Sequence, residues 1–199
     1  GTSHISVIDR FGNAVACTET INLAYGSLVG VEGFGFCLND QMDDFTTIPG
    51  EANAFGLVQS DANLPEPGKR PLSSMSPTIV LDADGEVIAV AGASGGPRII
   101  TATVQTLLRM LRGGATAEQA VNAPRVHHQW LPDRLDLETI VAAPVGLEEG
   151  LRAKGHQLGT RSDIGAVQAI RRDPARGVLD GAADPRKGGG VATARVPAR

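Results

Sequence analysis

The chain has 199 residues, of which 42% are hydrophobic, and this is enough for one substantial core but small for two. Its 18 basic and 22 acidic residues give a net charge of −4, and neither sign forms a run typical of nucleic-acid or membrane-surface binding. No apolar stretch reaches the roughly 20 residues that span a bilayer. We therefore expect a single domain over residues 1–199 that works on a small molecule or another protein.

The first half of the chain has the pattern of short strands separated by turns. Residues 4–8 and 14–21 are rich in β-branched and small side chains and flank the turn sequence DRFGN, which predicts a hairpin. A second β-rich pair is predicted within residues 28–38, followed by a polar loop. Residues 60–77 are rich in proline and should follow an extended path over the surface.

The middle of the chain predicts two strands and then a helix. The strands are expected at residues 77–81 and 87–91, joined by the turn sequence DADGE. Residues 98–111 repeat apolar side chains at helical spacing. This predicts a buried helix whose core face consists of Ile99, Val104, Leu107, Leu108 and Leu111.

The remaining elements complete the predicted fold. Thr116 with Gln119 three residues later has the pattern of a capping box, so a short helix should begin there and end before Pro124. A third helix is expected at residues 147–154, a last hairpin at 166–170 and 177–180, and a frayed tail at 187–199. Hairpins at both ends with helices between them predict an α+β fold with antiparallel sheets covered by helices.

The first predicted hairpin brings two threonine hydroxyls together. If Arg10, Phe11 and Gly12 form the loop, Thr2 lies opposite Thr20, with the Cβ atoms about 4.5 to 5.5 Å apart. A bulge at Gly12 would move this register by one residue. Threonine pairs also serve as ordinary sheet stabilisers. The alternative is chemical, because a threonine at a free chain terminus carries a nucleophilic hydroxyl and an α-amine that can act as its base.

On that face of the hairpin, Thr18 and Asn22 should accompany Thr20, while Cys17 and Glu19 point away. Cys17 and Cys37 lack the spacing of a metal or redox site, so we expect buried free thiols.

A glycine-rich turn between a strand and a helix is the second candidate site. In the sequence VIAVAGASGGPRII, the N–H groups of Gly95 and Gly96 precede a helix, where unpaired donors favour an anion and could form an oxyanion hole. The glycines could also serve only a tight turn. The same residues fit a G-x-S-x-G nucleophile elbow at Ser94, which would require a carboxylate and a histidine from Asp133 or Asp136 and His156. The chain lacks the alternating β/α pattern of that fold.

Two loops and a histidine pair offer further polar groups. Ser73 and Ser74 lie between two prolines and could direct donors toward a carboxylate, although serine pairs are common in turns. Gln41, Asp43 and Asp44 could receive an ammonium group or a metal ion, or form a solvated loop. The adjacent His127 and His128 cannot form an i, i+4 metal pair and are expected to pack around Trp130. We predict no metal and no cofactor.

Together these stretches resemble the small, catalytic subunit of the γ-glutamyltranspeptidases, the glutathione hydrolases of the N-terminal nucleophile superfamily. The resemblance covers nearly the whole chain and is carried by TSHISV, GNAV, TINLAYGS, LNDQMDDF, RPLSSMSPTIV, GASGGPRIIT, APRVHHQWLPD and GAADPRKGG. It implies an αββα sandwich, of which this chain would be the small-subunit half.

The resemblance also implies a mechanism. A precursor would cleave itself between Gly1 and Thr2, and Thr2 would then attack γ-glutamyl amides such as glutathione. The resulting acyl-enzyme would be resolved by water or by an acceptor amino acid or peptide. Thr20 corresponds to the residue that hydrogen-bonds the nucleophile, and the N–H groups of Gly95 and Gly96 correspond to the oxyanion hole.

Substrate recognition follows from the same resemblance. Asn22, Gln41 and Asp44 correspond to the residues that receive the glutamyl α-ammonium, and Ser73 and Ser74 to those that bind its α-carboxylate. A carboxylate-binding arginine belongs to the large subunit in this family, so that subunit is the expected partner. The family implies a periplasmic or secreted location, with the signal peptide on the large subunit.

Two departures from the family pattern leave alternatives open. Gly1 is still attached to Thr2, and Phe55 stands where some bacterial members have a lid tyrosine. Related enzymes of the same layout remove glutaryl side chains from cephalosporins, and a small subunit could survive as an inactive structural partner. Gln41 and Asp44 favour a substrate with an α-ammonium, and therefore a glutamyl group.

Overall fold

The computed structural model describes residues 1–173 and 175–194. The chain begins with the antiparallel hairpin β1 (Thr2–Ile8) and β2 (Ala14–Thr20). A second, much shorter hairpin follows, formed by β3 (Gly30–Val31) and β4 (Phe36–Cys37). Both hairpins were predicted, and the turn residues between their strands explain why the chain reverses there.

The central sheet has four antiparallel strands from two distant parts of the chain. These are β5 (Thr78–Leu81), β6 (Val87–Ser94), β10 (Ala166–Arg172) and β11 (Leu179–Ala183), in the order β11-β10-β6-β5. The predicted strands and the last hairpin are confirmed. Strand β6 continues to Ser94, beyond its predicted end, and therefore delivers the chain directly to Gly95.

Three α-helices accompany the sheets in the part of the chain that the structure describes. The first, α1, spans Arg98–Leu111, at the predicted bounds. Helix α2 (Ala117–Asn122) begins at the predicted capping box, in which the Thr116 hydroxyl accepts from the Gln119 N–H and the Gln119 side chain accepts from the Thr116 N–H. Helix α3 spans Leu147–Ala153.

The elements stack in layers around β6. Helices α1 and α2 cover one face of the four-stranded sheet, and the β1–β2 hairpin covers the other. Strand β6 is consequently buried on both faces, which its small residues Ala89, Ala91, Gly92 and Ala93 allow. The expected α+β class with antiparallel sheets is confirmed. Within the described residues, these layers make up a helix layer and two sheet layers.

The predicted core face of α1 is partly wrong. Ile99 is buried and Leu107 packs against the core, but Val104, Leu108 and Leu111 are 48%, 53% and 40% exposed. The helix instead buries Ala102, Thr103, Thr106 and Met110. Because the short side chains let the helix approach the small residues of β6 closely, the larger apolar residues form an outer stripe with Ile100.

A small mixed sheet was missed by the sequence analysis. Its strands are β7 (Val126–His127), β8 (Leu135–Glu138) and β9 (Leu158–Arg161), and β8 pairs with β9 in parallel. Strand β8 reads as polar because it contains Asp136 and Glu138, yet both side chains are buried. Arginines from other segments compensate their charges.

Two side-chain predictions are wrong. Trp130 is 76% exposed and is not a packing centre; His127 is buried and hydrogen-bonds Thr101 and Gln129, while His128 hydrogen-bonds Asp133. Cys17 and Cys37 are free, as expected, but they are half-buried rather than buried.

The segment after β11 is fixed to the core by buried ion pairs. Asp184 contacts Arg125 at 2.8 Å and Arg186 at 3.1 Å, and all three side chains are almost fully buried. From Lys187 to residue 194 the chain has no helix or strand, but Gly189 and Val191 lie beside β10 and β11. The rest of the tail that was predicted to fray, residues 195–199, lies outside the described residues.

Among the described residues, no helix has the length and apolar character needed to cross a membrane. In the same ranges, no three His, Cys, Asp or Glu side chains are grouped so that they could hold a metal ion.

Candidate active site

The β1–β2 hairpin has the register predicted from its turn, without a bulge. Thr2 pairs with Thr20, and their Oγ1 atoms are 2.8 Å apart, a hydrogen bond in which either hydroxyl can donate. The Asn22 N–H donates to the Thr20 Oγ1 at 2.9 Å. Asn22 itself adopts the left-handed conformation, with φ of 66°, and its amide reaches the Asp40 carbonyl at 2.9 Å. The hydrogen bond from the Asn22 N–H therefore helps to hold the Thr20 hydroxyl beside Thr2.

The peptide group between Gly1 and Thr2 lies in a polar surrounding. The Gly1 carbonyl oxygen accepts from the Ile21 N–H at 3.0 Å and from the Thr20 hydroxyl at 3.4 Å. The Lys187 ammonium donates to the Thr2 carbonyl. No sequence pattern linked Lys187 to Thr2, because 185 positions separate them.

His4 lies on the same face of β1 as Thr2, and the sequence analysis did not single it out. Its Nδ1 hydrogen-bonds the Thr18 hydroxyl at 2.7 Å and its Nε2 the Ser6 hydroxyl at 3.1 Å. The ring packs directly on Gly92, where an added Cβ would lie 2.3 Å from it. Burial lowers the pKa of His4 to about 4, so the ring is neutral at pH 7 and holds the hairpin against β6. The strand alternation from Thr2 was the available signal.

The turn after β6 requires glycine at two consecutive positions. Gly95 and Gly96 have φ values of 137° and 60°, which L residues rarely adopt. A Cβ on Gly96 would also lie 2.7 Å from the Phe55 ring. Within the described residues, neither backbone N–H donates to a protein acceptor. Two donors are therefore available at the N-terminal end of α1.

The acidic loop forms a short 3-10 turn, Gln41–Asp44. The Gln41 side-chain amide donates to Asp44 Oδ2 at 2.8 Å, and in the described structure the Gln41 Oε1 is buried without a donor. Burial raises the pKa of the Asp44 carboxyl, and the charges of Asp43 and Asp40 raise it further, whereas the Gln41 hydrogen bond opposes the rise. The loop thus contains an acceptor, the Gln41 Oε1, to which no donor among the described residues bonds.

These segments meet in one cleft. The residues predicted from the sequence that line it are Thr2, Thr20, Asn22, Asp44, Ser73, Ser74 and Gly96. Gln41 joins them through its bond to Asp44, and Gly95 precedes Gly96. Phe55 also lines the cleft, in a tight loop where the Asn53 side chain accepts from the N–H groups of Phe55 and Leu57 at 3.0 and 3.1 Å. The structure therefore brings together side chains that the sequence spreads over some ninety positions.

The alternative nucleophile, Ser94, lacks its partners. Asp136 accepts from Arg134 and Arg161, at 2.6 and 2.7 Å. Asp133 contacts His128, and the His156 ring lies 6.5 Å from the ring of His128. Ser94 is buried and lines a separate cavity, which Ser3 and Gln168 also line. In the described residues it hydrogen-bonds neither candidate carboxylate nor His156, so the elbow prediction is not supported.

Comparison with known proteins identifies the family. The γ-glutamyltranspeptidase family model matches residues 1–194. The chain belongs to the γ-glutamyltranspeptidase family.

Relatives within this γ-glutamyltranspeptidase family match nearly the whole chain. The glutathione hydrolase proenzyme of Escherichia coli is 47% identical over 93% of the chain, which corresponds to 31% of that relative. The structure of a Helicobacter pylori γ-glutamyltranspeptidase mutant has a TM-score of 0.86 and 47% identity, covering 92% of this chain and 99% of that one. The chain therefore spans about a third of the length of the proenzymes that it matches.

A cephalosporin acylase from Bacillus halodurans is a more distant neighbour. Its structure has a TM-score of 0.79 and 26% identity, covering 97% of this chain and 34% of that one. The resemblance stated from the sequence is thus confirmed at the level of the γ-glutamyltranspeptidase family, with the acylase at lower identity.

Proposed function

We propose that this chain is the catalytic subunit of an enzyme that hydrolyses and transfers γ-glutamyl groups, with Thr2 as its nucleophile. The observation that carries the proposal is the 2.8 Å contact between the Thr2 and Thr20 hydroxyls, in a cleft that also contains Gly96 and Asp44. The membership of the family and the proenzyme relatives support it.

The first proposed reaction is self-cleavage of the precursor. The Thr2 Oγ1, polarised by Thr20, adds to the Gly1 carbonyl carbon, while the Ile21 N–H and the Thr20 hydroxyl hold the carbonyl oxygen. Collapse of the adduct breaks the Gly1–Thr2 peptide bond, and the departing nitrogen takes up the hydroxyl proton to become the free α-amine of Thr2, while the Gly1 acyl group remains as an ester on Oγ1. Water then hydrolyses that ester, which releases the Gly1 carboxylate and restores the Thr2 hydroxyl.

The second proposed reaction is turnover. The neutral α-amine of Thr2, with an ordinary pKa near 8, takes the hydroxyl proton as Oγ1 attacks the γ-carbonyl of the substrate. The N–H groups of Gly95 and Gly96 stabilise the oxyanion. The amine leaving group departs with the proton, and water or the amine of an acceptor amino acid or peptide then attacks the γ-glutamyl ester.

Recognition of the glutamyl group uses the unfilled acceptors of the acidic loop. A substrate α-ammonium between Asp44, the Gln41 Oε1 and Asn22 would supply the missing donor and stabilise the ionised form of Asp44. Ser73 and Ser74, across the cleft, would bind the α-carboxylate. A glutaryl group of a cephalosporin lacks the ammonium and would leave these acceptors unpaired. We therefore propose a γ-glutamyl substrate rather than a glutaryl-cephalosporin.

The proposed partner is a large subunit produced from the same precursor. Two apolar surfaces of the described structure could receive it. Ile5, Val7 and Val15 are 58%, 44% and 53% exposed on the outer face of the hairpin, and the outer stripe of α1 is exposed as well. Since relatives are three times as long, a second chain covering these surfaces would complete the αββα sandwich. We also propose a periplasmic or secreted location, which fractionation of cells would test.

The test compares three single-substitution variants of the full-length precursor. Thr2→Ala should abolish both self-cleavage and hydrolysis of a γ-glutamyl anilide, whereas Thr2→Ser should retain part of both because it keeps the hydroxyl. Ser94→Ala, the control, should retain a burst of acyl-enzyme formation. Efficient cleavage in Thr2→Ala would refute the assignment. If Ser94→Ala formed no covalent adduct, Ser94 would be favoured as the nucleophile of a G-x-S-x-G elbow. An intact wild-type complex without turnover would indicate an inactive small subunit.

A further inference from the structure

Asn63 connects the two sides of the proposed substrate cleft. It ends the short 3-10 turn Asp61–Asn63 and is half-buried behind the cleft. Its side-chain amide donates to the Asp44 carbonyl oxygen at 2.7 Å and to the Gln59 Oε1. Its Oδ1 accepts from the Leu72 N–H at 2.9 Å. One side chain therefore binds the residue that faces the ammonium and the residue that precedes the serine pair.

The backbone of Asn63 strengthens the same connection. Its carbonyl accepts from the Thr46 N–H at 3.0 Å, and its N–H donates to the Ser60 carbonyl at 3.0 Å. The Thr46 hydroxyl also donates to the Ser60 carbonyl, at 2.8 Å. Asn63 thus joins the acidic loop to the loop that carries Ser73 and Ser74, although neither loop belongs to an α-helix or a sheet that could fix their separation.

The substrate makes that separation important. In a glutamyl group the α-ammonium and the α-carboxylate are attached to one carbon atom, so both can be bound only if their receiving groups stand at a fixed distance. Small displacements of positioning groups are costly in such sites. A ligand that carries only one of the two groups can follow a loop that moves.

We propose that Asn63 is a positioning residue that sets the spacing between Asp44 and the Ser73–Ser74 pair, and thereby selects ligands that carry an ammonium and a carboxylate on the same carbon. The inference rests on the proposed function, since it assigns the ammonium to Asp44 and the carboxylate to the serines. An amide is required here because it donates to one loop and accepts from the other through the same planar group.

The experiment compares three ligands by calorimetry on the processed two-chain complex. L-Glutamate carries both groups, glutarate lacks the ammonium, and 4-aminobutyrate lacks the α-carboxylate. Asn63→Leu removes both side-chain contacts to the loops. Asn63→Asp keeps the acceptor for Leu72 and is the second variant if Asn63→Leu does not assemble. Asn13→Leu is the matched control, since Asn13 also bonds a loop residue, Asp9 at 2.8 Å, but in a turn of the hairpin remote from the cleft.

The expected result is selective. The Kd of L-glutamate should rise about tenfold in the Asn63 variants, because with the spacing lost the ligand would give up about one net hydrogen bond to one of the two loops. The Kd values of glutarate and 4-aminobutyrate should change by less than about twofold. For a γ-glutamyl anilide, KM should rise with little change in kcat, because Asn63 does not contact the Thr2–Thr20 pair.

Three outcomes would contradict the role of Asn63. These are an unchanged Kd for L-glutamate, an equal weakening of all three ligands, and the same effect in Asn13→Leu. If any of them occurs while the wild-type complex hydrolyses γ-glutamyl anilide, Asn63 does not set the spacing and the proposed function stands. If the wild type binds L-glutamate but does not hydrolyse the anilide, the proposed function fails while the calorimetry still decides the role of Asn63.

Discussion

Replacing Asp44 by Asn should remove the discrimination between glutamyl and glutaryl substrates. Asn keeps the shape of the side chain and an oxygen that can accept from the Gln41 amide, which lies 2.8 Å from the Asp44 Oδ2. What changes is the charge. In the wild type, burial and the neighbouring Asp43 and Asp40 raise the pKa of the Asp44 carboxyl, so an incoming ammonium meets a poorly solvated carboxylate and gains a strong contact.

The size of the effect follows from the exposure of this group. A hydrogen bond to a charged partner contributes roughly 1.5–3 kcal/mol, and removing one member of a fully buried pair costs more. Asp44 is half-buried, so we expect a loss of about 2–3 kcal/mol for substrates with an α-ammonium, equivalent to about 30- to 150-fold in kcat/KM. Glutaryl substrates, which lack the ammonium, should change by less than about threefold.

The assay measures kcat/KM for γ-glutamyl and glutaryl anilides in the processed complex. Asp84→Asn, in the exposed β5–β6 turn, controls for the loss of one carboxylate elsewhere on the chain. The reasoning would be refuted if the ratio between the two substrates were near one in the wild type, or equal in the wild type and Asp44→Asn. Either result would move the assignment toward the cephalosporin acylase reading.

Two further predictions concern the oxyanion turn and the hairpin. Gly96→Ala should lower kcat about a hundredfold, because the added Cβ would meet the Phe55 ring and displace the Gly96 N–H from the oxyanion. Gly33→Ala is the control: Gly33 also has a positive φ but lies in open space, so this variant should keep the wild-type kcat. An active Gly96→Ala enzyme would argue against that donor. The pKa of His4 is about 4 in the folded chain, against an ordinary value near 6.5, so the unfolded chain binds more protons between these two pH values. The free energy of unfolding should therefore decline as the pH falls from about 6.5 to about 4, by up to about 3 kcal/mol. His4→Asn should flatten this decline in unfolding midpoints of the complex, and an unchanged slope would show that His4 is not its source.

Turn and glycine residues that are close together in the sequence predicted the register of the first hairpin and the ends of α1. The five-residue turn fixed the pairing of Thr2 with Thr20, because strand register follows from loop length. Glycines on both sides of α1 marked its ends at the residues where the structure has them. Those parts of the site that depend on sequence-local rules were therefore predictable from a single chain.

The errors share a different physical origin. The apolar residues Val104 and Leu108 indicated that α1 has an apolar face, but a periodic pattern does not tell which partner covers that face. Strand β8 was missed because Asp136 and Glu138 make its sequence polar, and the pairing of the buried Asp136 with Arg161 of β9 joins residues that are 25 positions apart in the chain. Lys187 beside Thr2 and Asn63 between the two loops arise from tertiary contacts, for which the sequence has no periodic signal.

The most direct test of the account is the location of the covalent intermediate. The processed complex is mixed with a γ-glutamyl anilide, quenched in acid during the burst, digested and mapped by mass spectrometry. The proposal predicts one γ-glutamyl group on the peptide that begins at Thr2, attached through the side-chain oxygen, and its absence after Thr2→Ala. A γ-glutamyl group on the peptide containing Ser94, or turnover without any adduct at Thr2, would contradict the assignment of Thr2 as the nucleophile.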